Sequence, residues 1–163
     1  MVERRDVEGT LARWFAVDAD SHIGVFTGSY AAWPAAVFAD YQAVHDASEV
    51  MATTTPTTTA ILSEHWLSRG AAVEVGIFPN SPPPVDWAEQ EAVRGLYSFD
   101  ADPGYGGQTA YFLDASPARP LRLQEAPPIV QRAAGLVRFP SVRFAKVTAI
   151  DLAALVPFVV GSG

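Results

Sequence analysis

The sequence predicts an α+β fold: a single domain with a mainly antiparallel sheet and several short helices. Runs of aromatic and β-branched residues come in neighbouring pairs joined by turn residues, which is typical of antiparallel hairpins. Helical patterns fall between these pairs without the regular strand–helix alternation of a parallel α/β sheet. The length of 163 residues, 49% of them hydrophobic, is sufficient for one folded core.

The first hairpin is predicted by two strand-like runs, Arg13–Asp18 and 22–27, on either side of a turn at 18–21. Asp and Ser side chains accept hydrogen bonds from turn amides, which explains their concentration at this point. Residues 1–10 before the hairpin are polar. We expect them to fray or to form a short lead-in.

A helix is predicted over 35–47, entered at Trp33 and Pro34, because proline suits the first helical turn. Its apolar residues recur at spacings of four and three, as one face of a helix requires. The run 53–59, Thr-Thr-Thr-Pro-Thr-Thr-Thr, predicts an exposed, extended loop. We expect this loop to lie inside one domain that spans residues 1–163.

The rest of the chain predicts further short helices and strands. Gly70 is placed as the C-cap of one helix and Asp86 as the N-cap of the next. The predicted helices cover 59–70, 87–94 and 128–134. The predicted strands cover 72–78, 96–99, 109–114, 121–123, 141–145 and 147–152, with the second and third paired as a hairpin across the loop 100–107.

Composition excludes several classes of function. The chain has 11 basic and 18 acidic residues, a net charge of −7, which disfavours nucleic acid because phosphate binding needs clustered cations. It has no cysteine, so disulfides, thiolate nucleophiles and thiolate metal sites are excluded. A charged amino terminus and the lack of a long apolar run argue against a secretory signal and a membrane span. We therefore expect a cytoplasmic protein.

Charge is distributed unevenly along the chain. Residues 1–102 contain 5 basic and 15 acidic side chains, whereas residues 103–163 contain 6 basic and 3 acidic ones. Two interpretations are open. The two parts can face each other within one fold and partly cancel, or the first part can form an acidic surface that recognises a basic protein.

The acidic-surface interpretation predicts a non-catalytic protein-binding module of an immunity or regulatory type. Its mechanism would be electrostatic attraction of a basic partner followed by aromatic anchoring. Two Asp-x-Asp pairs, at 18 and 20 and at 100 and 102, can also hold a divalent cation. Neither has the turn glycine and the distal glutamate of a calcium-binding EF-hand loop. Their position in hairpin turns is the simpler explanation. The predicted contact residues, all on hairpin turns, are Asp18, Asp20, Asp100, Asp102 and Tyr105.

Two alternatives remain open from the sequence. One is a metal-assisted hydrolase with a scattered site made of His45, His65 and Glu64, although the usual His spacings of metal motifs are absent. The other is a small-molecule sensor with an aromatic pocket between the sheet and the helices. No cofactor is predicted. Glu89 and Glu91, two apart on a helix, do not face each other and are expected on the solvated surface.

Two parts of the chain resemble a loose group of uncharacterised bacterial proteins. The stretch 14–26, Trp-Phe-Ala-Val-Asp-Ala-Asp-Ser-His-Ile-Gly-Val-Phe, is similar to that group's opening aromatic hairpin, with Ser21 where the group often has glycine. Stretches 95–100, 117–123 and 137–144 are similar to its second half. Some small acidic bacterial proteins of this style look like immunity proteins, which bind and block a toxin. The resemblance therefore implies binding to a protein.

Overall fold

Strands make the framework of the molecule. The structure, a computed structural model, describes residues 1–10, 12–68, 87–101 and 106–161. The predicted strand 72–78 and the proposed caps Gly70 and Asp86 lie outside these residues. The strands found within the described residues are β1 (Arg13–Asp18), β2 (Ile23–Thr27), β3 (Trp33–Pro34), β4 (Ala60–Leu62), β5 (Tyr97–Asp100), β6 (Ala110–Pro117), β7 (Arg138–Phe139), β8 (Ala149–Asp151) and β9 (Phe158–Val159).

These strands form one large mixed sheet and one small sheet. The large sheet runs in the order β4-β6-β5-β2-β1-β7, and β8 also pairs with β6. Strands β1 and β2 are antiparallel with Trp14 opposite Phe26, so the first predicted hairpin is confirmed. The pairs β2–β5 and β1–β7 are parallel, and the remaining described pairs are antiparallel. The predicted α+β class is confirmed.

The longer helices cover one face of the large sheet. Helices α2 and α4 pack on β1 and on each other, and α3 packs on β4, β5 and β6. The α-helices that lie wholly within the described residues are α1 (Arg4–Val7), α2 (Tyr41–Thr53), α3 (Trp87–Ala92) and α4 (Pro128–Gly135), with 3-10 turns at Ala35–Ala39, Leu123–Glu125, Phe144–Lys146 and Leu152–Ala154. The predicted helices 87–94 and 128–134 are thus confirmed to within two residues.

The opposite face of the sheet is closed by aromatic rings. Trp14 stacks on Phe26 with 4.0 Å between ring centroids, and Phe26 stacks on Phe99 at 4.7 Å. Phe144 from a 3-10 turn covers this stack edge-on. Gly24 is required beneath it, because a Cβ there would lie 2.9 Å from the Phe26 ring and 3.0 Å from Phe144.

The first ten residues form an anchored lead-in. Arg4 on α1 is only 3% exposed, and its guanidinium donates hydrogen bonds to the carbonyls of Gly28, Ser29 and Ala31. The same group lies 4.8 Å from the centre of the Trp33 ring. Burial lowers the pKa of Arg4. Of the two predictions for this segment, the structure fits the short lead-in.

The helix predicted over 35–47 is wrong in its starting point. Trp33 and Pro34 form β3, a 3-10 turn follows, and the α-helix begins only at Tyr41. Asp40 supplies the N-cap, since its Oδ1 accepts a bond from the backbone N–H of Ala43 at 3.3 Å. Its Oδ2 lies 2.5 Å from Arg132 of α4, so this side chain both caps α2 and ties it to α4.

Three other segments differ from the predictions. Ala60–Leu62 is a strand paired with β6, and helical structure starts only at residue 64. The predicted strand 121–123 is reduced to a single bridge between Arg122 and His22. The predicted strand 141–145 is instead a loop and a 3-10 turn. The loop predicted at 53–59 lies in the expected place, with Thr53 as the last residue of α2.

Candidate functional site

A cleft of about 220 Å³ opens on the helix-covered face of the sheet, between α2 and α3. Apolar side chains from β1, β2 and the residue before β5 form its base. The end of α2 forms one side and the whole of α3 the other. The lining residues are Arg13, Phe15, Val25, Ser48, Met51, Ala52, Trp87, Gln90, Glu91, Arg94 and Leu96.

An ion pair lies in this cleft. Arg13 Nε is 2.8 Å from Glu91 Oε1, with the side chains 24% and 14% exposed. The hydroxyl of Ser98 donates a hydrogen bond of 2.7 Å to the other carboxylate oxygen, Oε2. Each oxygen of Glu91 therefore has a partner: Oε1 an ion pair with β1, and Oε2 a hydrogen bond from β5. Two contacts from different strands fix the orientation of this carboxylate.

The strand register explains why these groups meet. Successive side chains of a strand point to opposite faces, so Arg13 and Phe15 point into the cleft while Trp14 points to the aromatic face. Val25 lies opposite Phe15 on one side and beside Ser98 on the other. Pairing of β1, β2 and β5 thus brings residues from distant parts of the chain onto one face.

Helix α3 brings Glu91 to the pair. Ala88 and Ala92 are almost fully buried and pack with Ala115 of β6, which presses one side of the short helix onto the sheet. Glu91 is three residues after Ala88 and therefore shares its face. The small alanine side chains let the helix approach closely. The carboxylate consequently ends beside the strands and away from solvent.

Burial strongly affects this carboxyl group. Loss of hydration raises the pKa of Glu91, while the charge of Arg13 and the hydrogen bond from Ser98 lower it in part; the nearby charge of Asp100 raises it further. Burial is the largest of these effects. A strongly perturbed carboxyl with a specific charge partner in a cleft is a common mark of a functional site.

A second arginine joins the two helices at the rim. Arg94 donates to the carbonyls of Thr54 at 2.9 Å, Gln90 at 2.8 Å and Ala52 at 3.4 Å. These bonds link the segment after α3 to the end of α2. Trp87 stands at the other end of α3, 38% exposed, with the Arg13 guanidinium 5.7 Å from its ring centre.

Asp18, one of the predicted contact residues, uses its carboxylate within the hairpin turn. The residue is 6% exposed. Its Oδ1 accepts bonds from the backbone N–H groups of Asp20 and His22, both at 2.9 Å, and its Oδ2 accepts from Phe144 N–H at 2.8 Å. The carboxylate thus closes the hairpin turn and fastens it to the segment that covers the aromatic face.

Two of the other predicted contact residues, Asp20 and Asp100, lie within the described part of the chain. Asp20 has a side chain 38% exposed, with Oδ1 3.8 Å from Arg143 Nε. Asp100 ends β5 and is partly buried near Glu91. Asp102 and Tyr105 lie outside the described residues. Asp20 and Asp100 are both partly exposed, and the acidic-surface hypothesis stays a prediction.

The scattered metal site is not assembled in the part of the chain that the structure describes. His45 is exposed on α2 and Glu64 is exposed after β4, whereas the His65 ring stacks on Phe112 at 5.0 Å. The described residues contain one close group of three metal-ligating side chains, namely Asp18, Asp20 and His22. Because Asp18 already accepts three backbone N–H groups, the turn interpretation explains this group.

Sequence reasoning missed the cleft because its polar residues lie far apart. It placed Glu91 on the solvated surface with Glu89, but only Glu89 is exposed. One signal was present: Arg13 and Ser98 are polar residues within strands whose other residues are mostly apolar. Polar groups on a buried strand face require a partner, and Glu91 is that partner.

Comparison of the chain with known protein families, with curated proteins and with solved structures finds no match. The resemblance to a loose bacterial group therefore stays a hypothesis. Among the described residues, no helix combines the length and the apolar character needed to cross a membrane.

Proposed function

We propose that this chain is a small-molecule-binding protein and that the cleft between α2 and α3 is its binding site. The observation that carries the proposal is the Arg13–Glu91 ion pair, held by Ser98 inside a cleft that is otherwise largely apolar. Ligand sites are mostly apolar clefts with a few fixed polar groups that orient the ligand. This arrangement has both parts.

Energetics support a role beyond folding. Placing a carboxylate and a guanidinium at a largely buried site is costly, and an apolar pair of the same size is often as stable or more so. Arg94, another polar group of the cleft, is also fixed, because it is bound to the carbonyls of Ala52 in α2 and Gln90 in α3. Such prior fixation lowers the entropy lost when a ligand binds.

The size of the cleft limits the ligand. Its volume of about 220 Å³ is below the roughly 300–1,000 Å³ that is typical of pockets for drug-sized molecules. We therefore expect a compact metabolite with one ring system or a short chain. The exposed ring of Trp87 at the rim offers a flat surface for stacking.

The proposal is tested by native mass spectrometry of the protein after incubation with a bacterial metabolite extract. The wild-type chain should retain one small molecule. The variant Ala52→Phe, which places a ring in the cleft, should lose it. The neighbouring variant Thr53→Phe is the matched control, because Thr53 is also exposed at the end of α2 but does not line the cleft. Absence of a bound mass, or equal retention by both variants, would contradict the proposal.

A further inference from the structure

We infer that the ligand of this cleft is a small amphipathic carboxylate, whose anionic group pairs with Arg13 and whose apolar body covers the base of the cleft. This inference rests on the proposed function and names the chemical class of its ligand. It follows from the charges that line the cleft, from the unused donors of Arg13 and from the apolar residues below them.

The described residues that line the cleft have an excess of positive charge. Arg13 and Arg94 each contribute a guanidinium, whereas Glu91 is the one carboxylate among these described lining residues. Within the part of the chain that the structure describes, every hydrogen bond of Arg94 goes to an uncharged oxygen, of a carbonyl or of the Gln90 amide. No described carboxylate therefore neutralises its charge. In a chain with a net charge of −7, a net positive cleft favours an anion.

Arg13 has donors to spare. Its Nε faces Glu91, and a guanidinium carries four further N–H groups on its two Nη atoms. Within the described residues these Nη atoms have no hydrogen-bond or ion-pair partner. A carboxylate can accept two parallel bonds from an arginine, which gives both strength and a fixed orientation. Glu91 thus positions the Arg13 guanidinium through its Nε and leaves the N–H groups on its Nη atoms for a ligand.

The base of the cleft suits the apolar part of such a molecule. Phe15, Val25 and Leu96 are each about 1% exposed over the whole residue, and they line the cleft together with Met51. A ring or short chain placed against this apolar wall removes the ligand's own apolar surface from water. A ligand that is entirely polar would leave this contact unused.

The charges of a neighbouring groove indicate how the ligand is oriented in the cleft. This groove shares Arg13 and Ser48 with the cleft but carries Asp6 and Glu49. Like charges repel, so an anionic group is disfavoured on that side. The anion is therefore placed on the side of Arg13 that faces the cleft, with the apolar body toward α3 and Trp87.

Three matched probes test the charge of the ligand: 2-naphthoate, 2-naphthylmethanol and 2-naphthylmethylamine. Isothermal titration calorimetry of the wild-type protein should show the carboxylate binding about tenfold or more tightly than the other two, as a charge-assisted bidentate contact implies. Tighter binding of the amine, or equal binding of the alcohol, would overturn the inference without affecting the proposed function.

Variants identify the residue that binds the anion. Glu91→Gln should tighten naphthoate binding, because it removes a negative charge that repels the carboxylate bound at Arg13. The double variant R13Q/E91Q should lose the preference for the carboxylate but still bind the alcohol. Arg122→Gln, which removes an exposed cation that does not line the cleft, should change nothing. Unchanged naphthoate binding by R13Q/E91Q would overturn the inference.

The two proposals can fail separately. If none of the naphthyl probes binds but Ala52→Phe still abolishes retention of a metabolite, the cleft is a ligand site for a different class and this inference is wrong. If no metabolite is retained, the proposed function fails. If the double variant does not fold, the comparison of the three probes on the wild-type chain still determines which ligand charge the cleft prefers.

Discussion

The two faces of the central sheet are built from alternate residues of the same strands, yet they differ in kind. On one face, Trp14, Phe26 and Phe99 stack without a gap and are at most 1% exposed. On the other, their chain neighbours Arg13 and Ser98 meet Glu91 beside a cleft. The aromatic face supplies stability through close packing, and the cleft face keeps fixed polar groups that packing alone does not require.

The largest effect is expected on the aromatic face. Phe26→Ala should lower the free energy of unfolding by about 3–5 kcal/mol, since it removes a fully buried ring and leaves a cavity. Urea unfolding followed by circular dichroism measures this loss. A loss below about 1 kcal/mol, the range of a tolerated core substitution, would show that the ring stack is not the main source of stability.

A somewhat smaller effect is expected from breaking the ion pair. Arg13→Met should destabilise the fold toward the lower end of the roughly 3–5 kcal/mol found when one partner of a buried pair is removed, because Glu91 is then left without its cation. Urea unfolding followed by circular dichroism measures this loss in the free energy of unfolding. A stability equal to that of the wild type would mean that water already compensates the Glu91 carboxylate.

The pH dependence of stability should report on the same carboxyl. Burial raises the pKa of Glu91 above its ordinary value of 4.5, so the folded chain keeps this proton at a pH where the unfolded chain has lost it. The contribution of Glu91 is therefore most favourable below pH 4.5 and declines as the pH rises toward the raised pKa. Melting temperatures of wild-type and Glu91→Gln proteins between pH 4 and 8 should show the variant gaining relative to the wild type across this window. A difference in melting temperature between the two proteins that does not change with pH would contradict this expectation.

The smallest effect is expected when both charges are removed together. R13M/E91M should unfold within about 1 kcal/mol of the wild type, because replacing a whole buried pair by apolar residues of similar size is often neutral. This result, beside the larger loss in Arg13→Met, would show that the pair is kept for a purpose other than stability. A loss in the double variant as large as in the single one would favour a structural role.

The same comparison shows what the sequence can and cannot predict. The hairpin 13–27 was predictable because its strands, its turn and their pairing are all local, and Asp18 closes the turn within four residues. Helix α4 was predictable from its proline entry and apolar spacing. Local signals also identified the second hairpin, between β5 and β6.

Local signals failed where tertiary contacts decide. Proline at position 34 predicted a helix entry, but the backbone there pairs with β9, and Asp40 supplies a better cap. The cleft depends on Arg13, Glu91 and Ser98, which meet only after β2 and β5 pair in parallel. The spacing of these three residues along the chain does not indicate that they are close in the fold, so no sequence motif predicts the cleft.

The central claim is that the cleft face of the sheet is the binding face. The most direct test is an amide chemical-shift map of the isotope-labelled protein by nuclear magnetic resonance, with and without the metabolite extract. The account predicts shifts concentrated at Arg13, at Met51 near the end of α2 and at Glu91 in α3, with the aromatic face unchanged. Shifts confined to other surfaces, or no shifts at all, would contradict it.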